Sequence, residues 1–351
     1  MNDLAAMRAA LALARRGLGN TWPNPAVGCV LVNEGRVVGR GWTQPGGRPH
    51  AETEALRRAG PAAKGATAYV TLEPCAHHGK TPPCAGALIA AGVARVAAAI
   101  EDPDPRVAGK GLARLRAAGI VVDEGLCAAE AEEVNAGFLQ RVRTGRPLVT
   151  LKLAATLDGR IATASGESRW ITGPAARERA HALRAGHDAI LVGTGTVIAD
   201  DPELTCRLPG LTDRSPLRIV FDRHLRIPPA ARVFAPPCWV LTAAPDAPEL
   251  RARGVEVVPA PPDLGETLRV LGARGLTRVL VEGGGRLAAS LLAAGLVDRL
   301  VWMRAPMAIG GEGIPAIAAL GLARLADAPR FELVSSVTIG GDVVETYRRS
   351  P

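Results

Sequence analysis

Residues 26–42, AVGCVLVNEGRVVGRGW, decide how the first half of the chain folds. Two runs rich in apolar and β-branched residues, AVGCVLV and RVVGRGW, flank the short turn NEG, a pattern typical of an antiparallel strand pair. An amphipathic helix in MNDLAAMRAALALARRGLG precedes the pair, and the helix AETEALRRAG follows it and ends at Gly60. The order helix, strand, strand, helix indicates an α/β fold.

The alternation continues to about residue 143. A buried strand is predicted in ATAYVTLEPC, and AGALIAAGVARVAAAI and GKGLARLRAAGIVVDEG each predict a helix followed by a strand. Such alternation implies an α/β sandwich with helices packed on a sheet. The Gly/Pro punctuation RTGRP, residues 143–147, then predicts a boundary between a first domain, 1–145, and a second, 146–351.

The second half alternates again, with strands predicted in LVTLKLAATLDGRIA, DAILVGTGTV, LRIVFD, CWVLTAA, RVLVEGG and DRLVWMRAP. The Pro-rich pieces RIPPAARVFAPPC and PAPPD are interpreted as surface connections.

Composition narrows the class of protein. A chain of 351 residues exceeds what one core usually serves, so two domains are expected. The net charge of +8 permits an anionic small substrate or nucleic acid, but only 3% of the residues are aromatic, which disfavours a base-stacking surface. Neither a signal peptide nor a membrane span is predicted, and six scattered cysteines indicate a reducing cytoplasm.

The stretches GGRPHAETEAL, residues 46–56, and TLEPCAHHGKTPPCAGAL, residues 71–88, together suggest a metal site. One histidine, His50, and two cysteines, Cys75 and Cys84, would supply three soft ligands, which fits a catalytic zinc that keeps a fourth position for water. A structural zinc would need a fourth protein ligand, for which His77 and His78 are nearest. We expect both cysteines to lie at or near helix starts, where the helix dipole favours thiolate.

Glu52 follows His50 by two residues, an offset that points the two side chains to different sides of a helix. Glu52 is therefore predicted to carry a proton from the attacking water to the leaving nitrogen rather than to bind metal. HAE alone is also typical of an ordinary helix start. The joint pattern favours a zinc deaminase, although eight residues separate the cysteines here instead of the usual two.

Two neighbouring features are open to two interpretations. The insertion AHHGKTPP carries His77, His78, Lys80 and Thr81, and it is either a polar surface loop or a phosphate-binding segment. Asn24, between two prolines, either hydrogen-bonds a pyrimidine edge or caps its turn.

The motifs PNPAVGCVLV, GGRPHAETEAL and TLEPCAHHGKTPPC closely resemble the bifunctional deaminase/reductase family of riboflavin biosynthesis. The second half resembles the same family in KLAATLDGRIATASGESRWITG, ILVGTGTVIADDPELTCR and LVEGGGRLAASLL. The resemblance implies a cytidine-deaminase-like α/β/α sandwich followed by a dihydrofolate-reductase-like α/β domain. It also implies zinc-dependent deamination of a diaminopyrimidinone ribosylamine phosphate, and NADPH-dependent reduction of the ribosyl group to ribityl.

The resemblance assigns roles to single residues. It makes His50, Cys75 and Cys84 the zinc ligands and Glu52 the proton shuttle. The positions that match cofactor contacts are Ala154, Trp170, Thr196, Asp200, Gly284, Gly285, Arg286, Leu287, Ala288, Ala289 and Ser290. The positions that match substrate contacts are Ser168, Arg184, Leu204, Arg207 and Glu282.

Some of these roles have alternatives in the residues themselves. Gly283–Gly285 could form either a phosphate-binding helix start or a tight turn. Arg184 and Arg207 could pair bidentately with a phosphate or be solvated arginines, and Trp170 could be core packing.

Arg223 stands where the family often has serine, and we expect it to reach the adenosine ribose phosphate of NADPH. The proton for the reduction could come from Lys152, Asp200, Glu282 or water. Rival interpretations are a nucleotide or tRNA-base deaminase with an accessory domain, and a structural zinc module. We further expect a homo-oligomer that binds neither nucleic acid nor a membrane.

Overall fold

The chain, described here by a computed structural model over residues 1–77 and 82–350, forms two compact units. The first unit is Met1–Gly145 and the second is Arg146–Pro351. Each unit has its own sheet, so the predicted two-domain α/β class is confirmed.

The first unit is built around a five-stranded sheet of order β2-β1-β3-β4-β5. Its strands are β1 (Gly28–Asn33), β2 (Arg36–Trp42), β3 (Thr67–Val70), β4 (Arg95–Ala98) and β5 (Val121–Glu124). Its helices are α1 (Asp3–Arg15), α2 (Ala51–Ala59), α3 (Cys84–Ala90), α4 (Lys110–Ala117) and α5 (Ala128–Thr144). β1 runs antiparallel to both β2 and β3, whereas β3, β4 and β5 are parallel.

Alternate residues of β1 face two separate cores. Cys29 and Leu31 pack with residues of α2 and α3, and Val30 and Val32 pack with residues of α1. Because side chains of a strand alternate between faces, this division makes the unit a three-layer sandwich.

α5 is a helix that the sequence pattern did not predict. Cys127 precedes it in a left-handed conformation, with φ of 59°, and makes no side-chain cap, so the usual start signal is missing. The predicted strand ATAYVTLEPC is also shorter than expected, since β3 ends at Val70.

The second unit is built around a nine-stranded sheet of order β11-β10-β9-β8-β12-β6-β13-β16-β15. Its first strands are β6 (Leu148–Ala155), β7 (Arg160–Ala162), β8 (Ala189–Gly193), β9 (Leu217–Phe221), β10 (Cys238–Thr242) and β11 (Glu256–Pro259). The others are β12 (Arg278–Glu282), β13 (Arg299–Arg304), β14 (Ile314–Pro315), β15 (Phe331–Ile339) and β16 (Asp342–Arg349). The helices are α6 (Pro174–Ala185), α7 (Thr194–Asp200), α8 (Pro248–Ala252), α9 (Leu264–Ala273) and α10 (Gly285–Ala293).

All the strands from β11 to β13 in this sheet order are parallel. Within the described residues, only the hairpin of β15 and β16 joins the sheet in the antiparallel direction. β7 and β14 form a separate two-stranded ribbon. The parallel strands therefore end along one edge of the sheet, which is where open α/β sheets bind ligands.

The Pro-rich piece RIPPAARVFAPPC is not a purely surface connection, so that interpretation is wrong in part. Val233 and Phe234 are fully buried and belong to the core that also contains Ile190 and Val240. Prolines bend this segment, but its apolar side chains still fill space beside the sheet.

None of the helices in the described part of the chain is long and apolar enough to cross a membrane.

His187 is predicted to make the second unit sensitive to acid. It is buried, its Nδ1–H donates to the Leu183 carbonyl oxygen at 2.7 Å, and its Nε2 accepts from the Thr150 hydroxyl at 2.9 Å. Burial lowers the pKa of His187 to about 4, below its ordinary value of 6.5. As the pH falls below 6.5, His187 binds a proton in the unfolded chain before it does so in the folded one. The stability that is present above pH 6.5 is therefore lost as the pH falls towards 4, and the complete loss is roughly 3 kcal/mol of unfolding free energy.

A His187→Gln variant should lose less unfolding free energy than the wild type between pH 7 and pH 4.5. The difference is measured by urea unfolding, with hydrogen exchange of the β6 and β12 amides as the readout. Equal losses in both proteins would show that His187 does not set this sensitivity.

Candidate functional site

His50 lies immediately before α2, as its N-cap, with φ of −70° and ψ of 161°. α2 packs directly on β2 because Gly41 has no side chain there: a Cβ at Gly41 would lie 2.1 Å from the Ala51 carbonyl oxygen. This close approach fixes where the first turn of α2 begins, and with it the position of His50.

The two cysteines of the predicted metal site come from the segment that follows β3. Cys84 is the first residue of α3, and Cys75 lies in the connection after β3. The backbone N–H of Cys84 donates to the Cys75 sulfur at 3.3 Å, and Ala85 N–H donates to the Cys75 carbonyl at 3.2 Å. Cys75 does not begin a helix of its own, but it is held against the N-terminus of α3, so both cysteines lie at or near a helix start, as expected.

His50, Cys75 and Cys84 converge. His50 Nδ1 lies 3.3 Å from Cys84 Sγ and 3.8 Å from Cys75 Sγ, and the three donor atoms all lie within 4.8 Å of one another. One nitrogen and two sulfurs at such distances suit zinc, which binds imidazole and thiolate. His77 is not part of this group of donors, and His78 lies outside the described residues.

The environment favours a thiolate at Cys75. Hydrogen bonds from the Cys84 thiol, from His50 and from the Cys84 backbone N–H lower the pKa of Cys75, although burial opposes the shift. The pKa of Cys84 is raised, first because its thiol donates to Cys75 and then because it is buried.

Glu52 is only 3% exposed and stands two residues inside α2 from His50. Burial raises the pKa of Glu52 to about 7, against the attraction of His50, which lowers it. A carboxyl group with a pKa near neutrality beside a trio of metal donors can both accept and release a proton.

Asn24, one of the predicted substrate residues of this unit, lies beside the loop that leads into His50. The Asn24 amide lies directly against Gly47, three residues before His50, and the Gly46 N–H donates to the Asn20 carbonyl oxygen at 2.8 Å. His77 has a buried Nδ1 without a hydrogen-bond partner among the described residues. The predictions for Lys80, and for Thr81, lie outside the described residues.

In the second unit, charged side chains meet where the end of β12 lies beside the middle of β6. The register pairs Lys152 with Glu282, and Lys152 Nζ lies 3.6 Å from Glu282 Oε2. Arg184, from α6, donates from Nε to Glu282 Oε1 at 2.8 Å and from Nη2 to Oε2 at 3.0 Å. Arg184 thus makes its bidentate pair with Glu282, and the sequence did not predict this pairing.

These cations control the charge of Glu282. Burial acts to raise its pKa, but Lys152 and Arg184 outweigh that effect and hold the pKa of Glu282 at about 2. Glu282 is therefore ionised at neutral pH and cannot supply the proton for a reduction, which removes one of the candidates.

The glycine turn at the end of β12 lies beside α7. Thr196 of α7 lies against Gly283, and Leu287 of α10 lies against Gly193 at the end of β8. α10 begins at Gly285, so the predicted cofactor segment Gly284–Ser290 forms the start of this helix. Backbone N–H groups at a helix start can bind a phosphate.

The other predicted cofactor residues differ in exposure. Trp170 is 64% exposed, so it is not core packing, and the Arg177 guanidinium carbon lies 4.4 Å from its ring centroid. Asp200 is exposed at the end of α7, whereas Ala154 in β6 is half-buried.

The predicted substrate residues Leu204 and Arg207 belong to a connection after α7. Leu204 is buried with φ of 57°, and Arg207 is exposed, 3.7 Å from Glu203 Oε2. Ser168 is half-buried and lies in the segment that precedes α6. Sequence reasoning missed His181, whose Nδ1 lies 3.1 Å from the Thr205 carbonyl oxygen and 3.3 Å from the Arg207 nitrogen; its i−3 spacing from Arg184 on α6 was the available signal.

Arg223 follows β9 and is half-buried. Its Nη2 donates to the Pro261 carbonyl oxygen at 2.8 Å, and its buried Nε has no partner among the described residues.

Comparison with known proteins relates both units to one family. Residues 1–100 match the cytidine and deoxycytidylate deaminase zinc-binding region, and residues 147–345 match the RibD C-terminal domain. The riboflavin biosynthesis protein RibD of Escherichia coli K12 is 48% identical over 360 residues, covering 98% of each chain. The chain belongs to the RibD family.

Solved RibD structures agree over the whole chain. Form 1 of Acinetobacter baumannii RibD has a TM-score of 0.93 at 42% identity and covers 99% of both chains. A Thermotoga maritima protein described as a diaminohydroxyphosphoribosylaminopyrimidine deaminase/5-amino-6-(5-phosphoribosylamino)uracil reductase has a TM-score of 0.89 at 35% identity, covering 99% of this chain and 98% of that one.

Membership in the RibD family confirms the predicted function. The chain is a bifunctional deaminase and reductase of riboflavin biosynthesis, with a zinc-binding deaminase domain and an NADPH-dependent RibD reductase domain. The match of residues 147–345 supports this function over a base deaminase with an unrelated accessory domain.

Proposed function

We propose that the unit of residues 1–145 deaminates a diaminopyrimidinone ribosylamine phosphate, and that the unit of residues 146–351 then reduces its ribosyl group to ribityl. The observation that carries the proposal is the convergence of His50, Cys75 and Cys84 beside a buried carboxylate, Glu52. The other unit brings Lys152 and Glu282 together on two neighbouring central strands.

His50, Cys75 and Cys84 would hold the zinc of the first unit. Their donor set of one nitrogen and two sulfurs fits a zinc that keeps one position for a reactant. When bound, zinc supplies the Lewis acidity that makes water a nucleophile near neutral pH. Glu52 takes a proton from that water and passes it to the amino nitrogen that leaves as ammonia.

Asn24, His77 and Lys80 would recognise the substrate of the first step. Asn24 lies against the turn that leads into His50, so its amide is near enough to that loop to hydrogen-bond a pyrimidine edge. His77 and Lys80 belong to the insertion between the two cysteines and carry donors suited to a phosphate.

The start of α10 would bind NADPH in the second unit. Gly284 and Gly285 keep side chains away from the backbone N–H groups, and Thr196 packs beside the same turn. The remaining proposed cofactor contacts are Ala154, Trp170, Asp200, Arg286, Leu287, Ala288, Ala289 and Ser290. NADPH supplies the hydride, and the protein positions it against the sugar carbon.

The proposed substrate contacts of the reductase are Ser168, Arg184, Leu204, Arg207 and Glu282. Arg207 is exposed and suits the substrate phosphate, whereas Arg184 orients Glu282. Lys152 is the side chain best placed to donate a proton in the reduction, since it is a cation held by an ionised Glu282 on the neighbouring strand.

Two variants should separate the activities. Glu52→Gln should lower ammonia release by about 10³-fold or more, because general acid–base catalysis is lost, while zinc content and reduction of pre-deaminated substrate persist. Lys152→Met should lower formation of the ribityl product and leave ammonia release nearly unchanged. Ammonia release is measured with the diaminopyrimidinone phosphate, and formation of the ribityl product is measured separately with pre-deaminated substrate and NADPH.

Each variant is the control for the other, because the two residues lie in different units. Loss of both activities in a folded, zinc-loaded Glu52→Gln protein would contradict the assignment. NADPH consumption that never occurs with the deaminated substrate would contradict the second half of the proposal.

Arg223 is proposed to select NADPH over NADH. Its guanidinium is held at Pro261 while its buried Nε has no partner among the described residues, so it can turn towards a phosphate dianion. Arg223→Ala should weaken NADPH binding about tenfold or more and leave NADH binding nearly unchanged, as measured by titration of cofactor fluorescence. Arg226, which is exposed on the same connection, provides the matched Arg226→Ala control. Unchanged preference in Arg223→Ala would remove this role.

We also propose that the protein is a homo-oligomer joined through β15. This strand ends the sheet, and Leu333, Val334 and Val337 are 57%, 59% and 52% exposed. A long apolar edge strand usually has a partner, and a second copy offers the same apolar surface.

The unpaired cysteines support a reducing cytoplasm as the location of the protein.

Val337→Lys should shift the molar mass in solution to that of a monomer, measured by light scattering after size exclusion, because it places a charge on this surface. Leu325→Lys, at an exposed residue outside β15, is the control and should leave the mass unchanged. A monomeric wild type would exclude the oligomer.

A further inference from the structure

Glu73 is a buried carboxylate two residues before Cys75, and it is 3% exposed. Its Oε2 accepts the backbone N–H of Asp102 at 3.2 Å and of Gly109 at 2.9 Å. Its Oε1 accepts the backbone N–H of Gly111 at 2.8 Å and of Leu112 at 3.2 Å. One carboxylate therefore receives four backbone donors.

Three of these donors surround the N-terminus of α4, where N–H groups have no acceptor inside the helix. A negative charge is also favoured at this end of a helix. The interaction therefore attaches α4 to the segment that follows β3, and it does so with the polar groups of both partners satisfied.

The same segment touches α4 through its backbone. A Cβ at Gly111 would lie 1.9 Å from the Pro74 carbonyl oxygen, so α4 lies directly against the residue before Cys75. Glu73 N–H also donates to the Ile100 carbonyl oxygen at 2.9 Å, which ties it to the end of β4. On its other side, Cys75 is held by the N-terminus of α3.

We propose that Glu73 is a positioning residue for the metal ligand Cys75. Its carboxylate fixes α4 against Pro74, so that the Cys75 sulfur stays within reach of His50 and Cys84. The inference rests on the proposed role of Cys75 as a zinc ligand. It assigns to a residue outside the donor set the task of holding the donors at the spacing that zinc requires.

Only a carboxylate can make this contact. It offers about four acceptor sites and no donor, which matches four N–H groups. A glutamine of the same shape would replace one oxygen with an NH₂ group facing two N–H donors. Glu73→Gln thus removes half of the contact without changing the volume of the side chain.

The test measures zinc affinity in the full-length protein. We expect Glu73→Gln to weaken zinc binding 10- to 100-fold in competition with a chromophoric chelator. We also expect a changed thiolate charge-transfer absorption when Co²⁺ replaces zinc, because the geometry of the sulfur ligands changes. The reductase kcat and the KM for NADPH should match those of the wild type.

Leu11→Ala is the matched control for lost stability. Leu11 is fully buried in the first unit, in the core on the opposite face of the sheet from α2 and α3. This variant should lower the melting temperature of the first unit yet bind zinc and Co²⁺ as the wild type does. A role of Glu73 in stability alone would make Glu73→Gln behave in the same way.

If hydrogen exchange shows that the first unit of Glu73→Gln is unfolded, Glu73→Asp is measured instead, since aspartate keeps the negative charge on a shorter side chain. Wild-type zinc affinity and an unchanged Co²⁺ spectrum in the folded variant would overturn the proposal. Cys75→Ser tests the underlying assignment separately: if it does not weaken zinc binding, the proposed ligand fails, whatever Glu73 does.

Discussion

The first unit depends on the meeting of three soft donor atoms from three separate parts of the chain. His50 precedes α2, Cys84 begins α3, and Cys75 lies in the connection after β3. Their side chains are short, so the donors can meet only if the backbone segments are placed to within a fraction of an ångström. Gly41 under α2, and the α3 N–H groups that bind Cys75, provide that placement.

The second unit solves a different problem, which is to keep charges together inside a protein. Glu282 is buried, and a buried carboxylate is costly unless cations and hydrogen bonds compensate it. The parallel register brings Lys152 beside it, and Arg184 reaches it from α6. The result is an ionised acid beside a cation on two central strands, next to the glycine turn that begins α10.

Both units place part of their chemistry beyond the carboxyl ends of parallel strands. In the first unit, β3 and β4 lead into the segments of Cys75 and Asp102, and Glu73 joins these segments to α4. In the second unit, β8 leads into Thr196 and β12 leads into Gly284, whereas Lys152 lies within β6 beside Glu282, the last residue of β12. Residues distant in sequence meet there because parallel strands all end at the same edge.

The sequence by itself determined the α/β class and predicted which three residues would converge as metal donors, His50, Cys75 and Cys84, because strand alternation, helix starts and residue types are local properties. The separate role of Glu52 is likewise a prediction from the sequence. It did not predict α5, which lacks a capping side chain, or the burial of Phe234 among prolines. Only the tertiary structure decided that Arg184 binds Glu282 and that Glu73 holds α4, since such contacts depend on which segments pack together. Strand register and helix packing fix those distances, and neither leaves a signal in a short stretch of sequence.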